Sequence, residues 1–140
     1  MMNKLRIATC LVAATCLQFS ALVARAHDVG EHVQPVFQHE LPNVPGKSMI
    51  AAVVTYEPGG KSPAHHHAKS AFIFAHVLSG SIRSKVNDGE TKVYKTGESF
   101  YEEPGSSHSI SENASETESA SLLAVFVVDS DDKKLTMPDK

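Results

Sequence analysis

The sequence predicts an all-β chain folded as a jelly-roll barrel or sandwich. Beyond residue 30 no segment holds a helical period over a useful length. Instead, short runs rich in β-branched and aromatic residues recur at spacings of about ten residues. Gly, Pro, Asn and Asp punctuate them, which is the turn chemistry of an antiparallel fold.

The strands follow in order. Residues 33–40 (VQPVFQHE) form the first and end at the turn Pro42-Asn43-Val44-Pro45-Gly46. Residues 48–56 (SMIAAVVTY) form the second, closed by Pro58-Gly59-Gly60, and residues 71–78 (AFIFAHVL) form another, ending at Ser79-Gly80. Ile82–Val86 and Thr91–Tyr94 flank Asn87-Asp88-Gly89, a hairpin signal because Asn and Gly tolerate positive φ. Further strands are expected at 98–102, 108–112 and 121–128, with 113–120 (NASETESA) a polar surface loop. The sequon Asn113-Ala114-Ser115 within that loop matters only in a eukaryotic secretory pathway.

The 140 residues do not all belong to that unit. Lys4 and Arg6 precede a largely apolar run over residues 7–24, and Ala24-Arg25-Ala26 is a small-x-small cleavage site. Residues 1–26 therefore read as a secretory signal peptide, residues 27–129 as the barrel domain and residues 130–140 as a charged, loosely held tail. The expected product is an exported protein, periplasmic or secreted, with no membrane contact after cleavage. Cys10 and Cys16 both leave with the leader, which excludes a structural disulfide and thiol chemistry. Loss of Lys4, Arg6 and Arg25 takes the net charge from −3 to −6, a balance that does not suit nucleic acid. All eight histidines remain, His27 becoming the new N-terminus. That residue reads either as a copper-chelating amine–imidazole pair or as a disordered end.

Histidine placement carries the functional reading. His65 and His67 stand two apart, so on a strand both side chains face the same way and His66 faces the other. Two imidazoles on one face can share a metal, and His108, opening a later strand, can supply a third nitrogen. Open positions opposite would accept water or a substrate.

These segments resemble the two motifs of the cupin superfamily. Gly59, five residues, His65-His66-His67 and the terminal Gly80 match the first; Gly97, Gly105 and His108 match the second, with Pro104 one position later than the family's proline. A 16-residue interval joins them. The resemblance implies a single-domain cupin barrel holding one divalent metal (Fe, Mn, Zn or Ni) on His65, His67 and His108. It departs from the pattern at Ile73, which occupies the place of the family's usual glutamate ligand. A three-histidine site, similar to that of some cupin dioxygenases, or a site that has lost its metal, follows from that departure.

The resemblance implies a metal-dependent dioxygenase, isomerase or lyase acting on a small molecule, or a non-catalytic module binding a small ligand or metal. His76 is expected on the face opposite Ile73, entering the cavity only if the register slips. Phe72, Phe74, Phe100 and Tyr101 are expected to pack the core or a subunit interface, and Glu102 and Glu103 to form a solvated strand end or to supply a base near His108. A homodimer is expected, because such a barrel leaves an apolar outer sheet or edge strand to cover.

Overall fold

The computed structural model describes residues 30–139, so the expected leader and His27 lie outside the described residues. Ten strands are present among the described residues: β1 (Glu31–Glu40), β2 (Lys47–Tyr56), β3 (His65–His67), β4 (Phe72–Ser79), β5 (Ser81–Val86), β6 (Lys92–Lys95), β7 (Ser99–Glu102), β8 (Ser107–Asn113), β9 (Ala120–Asp129) and β10 (Thr136–Pro138). They form two five-stranded sheets, β1-β2-β9-β4-β7 and β10-β3-β8-β5-β6, with every pairing antiparallel. The all-β expectation holds, with strand limits within a residue or two of those read from the sequence.

Local chemistry explains the corners. Between β5 and β6, Asn87 takes φ 51°, and its side-chain oxygen accepts the Ser107 backbone N–H at 3.0 Å. Gly80 turns the chain from β4 into β5 at φ 67°; a Cβ there would lie 2.8 Å from that of Ala120, so both the backbone and the neighbour require glycine. Pro35 is tolerated because β1 is an edge strand, and the register shifts between Pro35 and Phe37. Before that bulge Glu31 and Val33 border the cavity, Val33 half exposed at its mouth; after it Phe37 lies opposite Ala51 and is half exposed as well.

The core lies between the sheets and is built from alternating positions. Ile73, Ala75 and Val77 of β4 point inward with Leu122, Ala124, Phe126 and Val128 of β9, joined by Tyr56, Ile82 and Phe100. One row across the first sheet is unusually small. Ala52, Ala124 and Ala75 are direct ladder partners on β2, β9 and β4. Three methyl groups side by side cannot reach the opposite sheet, and a cavity of about 430 Å³ stands over them.

The C-terminal segment differs from expectation. Read as a loosely held charged tail, it instead adds β10 to the edge of the second sheet, Thr136 pairing with His67 and Pro138 with His65. The Asp139 N–H donates to the Ala64 carbonyl at 2.9 Å, and Asp139 Oδ1 lies 2.8 Å from His66 Nδ1. Its few apolar residues gave no strand signal, because the bonds holding it are made by backbone and by a distant partner strand.

The sequon is also placed. Asn113 is buried, and its amide group donates to the carbonyls of Glu57 at 2.9 Å and Glu118 at 2.7 Å. Both amide hydrogens are occupied, so the folded chain offers no glycan acceptor there.

Candidate metal centre

Three sequence-predicted histidines converge. β3 presents His65 and His67 on its inner face, and the ladder pairs His65 directly with His108 of β8. All three are buried, and each offers a ring nitrogen within 4.8 Å of the others. Ring centroids are 4.8 Å apart for His65 and His67, and 5.3 Å for His65 and His108. His66 points away and is partly exposed against Asp139, and His76 lies on the outer face, where its ring meets Ser99 Oγ at 2.8 Å.

Hydrogen bonds at the back of each ring select which nitrogen faces the cavity. His65 Nδ1 donates to the Pro63 carbonyl at 2.7 Å, and His67 Nδ1 to the Leu135 carbonyl at 3.2 Å. A carbonyl only accepts, so both Nδ1 atoms carry the proton and both Nε2 atoms present lone pairs. His108 is turned the other way: its Nε2 meets Ser84 Oγ at 2.8 Å, leaving Nδ1 toward the site. Such partners behind the rings orient metal-binding imidazoles and raise their basicity. Burial, foremost, holds the His65 pKa below the ordinary imidazole value and favours the neutral ring that a metal requires.

Removing residues 134–140 would take away β10 and the carbonyl that orients His67. We expect metal affinity in the truncated chain to fall roughly 10–100-fold, read by isothermal titration, with the cooperative fold kept. An unchanged affinity would show that His67 needs no such support.

Of the two readings of Glu102 and Glu103, the solvated strand end holds only for exposed Glu103. Glu102 is 3 % exposed, points inward from β7 and stands beside His108, as the other reading had it; what was missed is that it reaches His67 too. Its Oε1 lies 3.2 Å from His108 Nδ1 and its Oε2 3.3 Å from His67 Nε2. Burial pushes this carboxyl up; His108 and His67, in the state where their rings carry both protons, outweigh burial and hold it down at about 2. The alternation of β7, with Phe100 and Glu102 both inward, was the available signal.

Tyr56 was missed as well. Its buried hydroxyl meets Ser62 Oγ at 2.7 Å and Ser111 Oγ at 2.8 Å, and Ser62 in turn donates to Glu31. Burial, foremost, pushes the phenol up to about 12, so β2, the strand that also carries Ala52 of the alanine row, keeps a neutral hydroxyl at the cavity at any working pH. The cavity otherwise has apolar walls from Val33, Val54, Ile73, Phe100, Leu122 and Phe126, and its lining contains no Lys or Arg.

The residues fit a cation. Glu102 Oε2 is buried without a hydrogen-bond partner, and it faces the lone pair of His67 Nε2. Two acceptors at that separation repel unless a positive charge lies between or beside them. A metal ion answers both groups, and imidazole with carboxylate suits borderline divalent metals.

Comparison with known proteins agrees with this architecture. The Cupin domain family matches residues 52–126, just over half of the chain, and the chain belongs to that family. Among solved structures it is similar to TT1209 from Thermus thermophilus, at 22 % identity and TM-score 0.59, covering 75 % of this chain and 90 % of that one. A conserved protein with a double-stranded β-helix domain from Klebsiella pneumoniae gives 17 % identity and TM-score 0.61, covering 82 % of this chain and 90 % of that one. An oxalate oxidase in complex with glycolate gives 22 % identity and TM-score 0.56, with 75 % of this chain covering 57 % of that one. At these identities the likeness is one of fold. No match was found among curated proteins.

Proposed function

We propose that this cupin binds one divalent metal (Fe, Mn, Zn or Ni) through His65, His67 and His108 and acts on a small molecule held in the adjoining cavity. The observation carrying this reading is the convergence of three buried imidazoles whose back nitrogens are all engaged. At about 430 Å³ the cavity lies in the range of small-molecule sites. Its apolar walls and the Tyr56 hydroxyl favour a compact ligand with a ring or alkyl body and one or two oxygen donors.

A bound metal would supply Lewis acidity and, if iron, redox chemistry with oxygen; oxygenation is the leading reaction, ahead of isomerase or lyase chemistry. The chain's own contribution is then positional. His65, His67 and His108 hold one side of the site, Phe100 and Phe126 exclude water around the rings, and Tyr56 offers a neutral hydroxyl to the ligand. Metal analysis of the purified protein, followed by oxygen-consumption screening of the iron-loaded form, tests the reading. A metal-free protein whose melting temperature ignores added iron, manganese, zinc and nickel would overturn it. The second reading, a non-catalytic binding module, is favoured by how few proton-transfer groups line the cavity. Tight metal and ligand binding without turnover would select it.

Export and dimerisation belong to the same proposal. The leader chemistry supports a periplasmic or secreted product starting at His27, checked by intact mass of the fractionated protein. Phe72, Phe74 and Leu78 of β4 stand half exposed with Tyr101 of β7 on the outer face of the first sheet, with Tyr101 stacked on Phe72 at 5.9 Å. An apolar patch of that kind supports pairing of two copies, read by analytical ultracentrifugation.

A further inference from the structure

We propose that Glu102 is the fourth protein ligand of this centre, delivering a carboxylate from β7 to the same space as the three histidines. The inference rests on the metal-binding reading above and deepens it. Position argues first. Glu102 lies on the opposite sheet from His65, His67 and His108, yet both its oxygens reach their rings, Oε1 at 3.2 Å from His108 and Oε2 at 3.3 Å from His67.

Satisfaction argues second. A buried carboxylate normally collects hydrogen bonds from backbone N–H groups, hydroxyls or cationic side chains. Glu102 Oε2 has none, and the nitrogen it faces is the unprotonated one, because His67 donates its proton to Leu135. No Lys or Arg lines the cavity to neutralise it. A cation shared with the imidazoles satisfies the carboxylate oxygen and the nitrogen lone pair together. Held in that way, Glu102 is a ligand and not a free base.

Register argues third. Glu102 and Ile73 are direct ladder partners on β7 and β4, and residues directly opposite in an antiparallel pair share a face, with Cβ atoms about 4.5–5.5 Å apart. A carboxylate at either position would enter the site from nearly the same place. The missing acidic residue at Ile73 is thus supplied by its neighbour across the ladder.

The full chain, freed of metal, is titrated with cobalt(II) and followed by calorimetry and by the visible absorption of the bound ion. Glu102→Gln keeps shape and removes the anionic ligand; affinity is expected to fall roughly 100-fold or more, beyond the loss of an outer partner, with a shifted cobalt spectrum. The exchange Ile73→Glu with Glu102→Ile moves the carboxylate to the partner strand and is expected to restore affinity to within about tenfold of the parent. Binding by Glu102→Gln within about threefold of the parent, with the parent spectrum, overturns the ligand role while leaving the histidine site intact. A parent chain that binds no cobalt overturns both. Where Glu102→Gln does not fold, the exchange variant decides: tight binding supports the assignment, and a folded variant with only weak binding overturns it.

Discussion

His65→Ala is expected to abolish tight metal binding. His65 stands between its two companions, with ring centroids 4.8 Å from His67 and 5.3 Å from His108. Its loss removes a nitrogen whose direction is set by the Pro63 carbonyl, and nothing else on β3 can replace it. The fall should exceed the roughly 10–100-fold that follows loss of an outer hydrogen-bond partner. The thermodynamic reading is as direct. Metal at a thousandfold excess over its Kd stabilises the parent by about 4 kcal/mol, and this increment should vanish in the variant. Thermal melts with and without added metal measure it, and a variant stabilised by metal as much as the parent would refute the assignment.

Ala124→Leu is expected to separate ligand binding from metal binding. Ala124 is the middle of the alanine row and has Ala52 and Ala75 as ladder partners on either side. A leucine there projects into open space and not into packed core, so the destabilisation should stay at or below the roughly 1–3 kcal/mol usual for overpacking, measured by urea unfolding. The larger side chain takes volume from the floor of the cavity. Ligand affinity, or kcat/KM if the protein turns over, should drop at least about tenfold, the effect of about 1.4 kcal/mol. Cobalt affinity should hold, because the histidines approach from the opposite sheet and Glu102 enters from the Ile73–Phe126 row, the next inward-facing row along the ladder from that of Ala124. A variant that loses metal and ligand together would mean that the row supports the metal centre and does not merely shape the pocket.

Much of the site was legible because its signals are local. Alternation along three residues places His65 and His67 on one face whatever the rest of the chain does, and a Gly-x-x-His end to a turn places His108 at the start of a strand. Ala52, Ala75 and Ala124 are equally visible one at a time, but their alignment depends on which strands pair and in what register. The order β2-β9-β4 joins strands far apart in the chain, and no local period encodes it. Glu102 was half legible. Beside Glu103 and Pro104 it reads as a polar strand end or as a base near His108, and the alternation it shares with Phe100 turns its carboxyl inward, but its reach to His67 as well depends on how the two sheets pack. The C-terminal strand failed differently: three residues, one of them proline, carry no hydrophobic pattern, and their place is decided by the backbone of β3.

The all-β class, the turns at Asn87 and Gly80, and the three histidines that meet were therefore readable from the residues alone. They follow from side-chain alternation and backbone preference, which act over a few residues. Three features required the folded molecule: a buried carboxylate joins those histidines, a row of alanines opens the cavity, and the last strand orients His67. Each of these depends on long-range strand pairing. A change of one residue in register would turn Glu102 and Ala124 to the other face of their sheet.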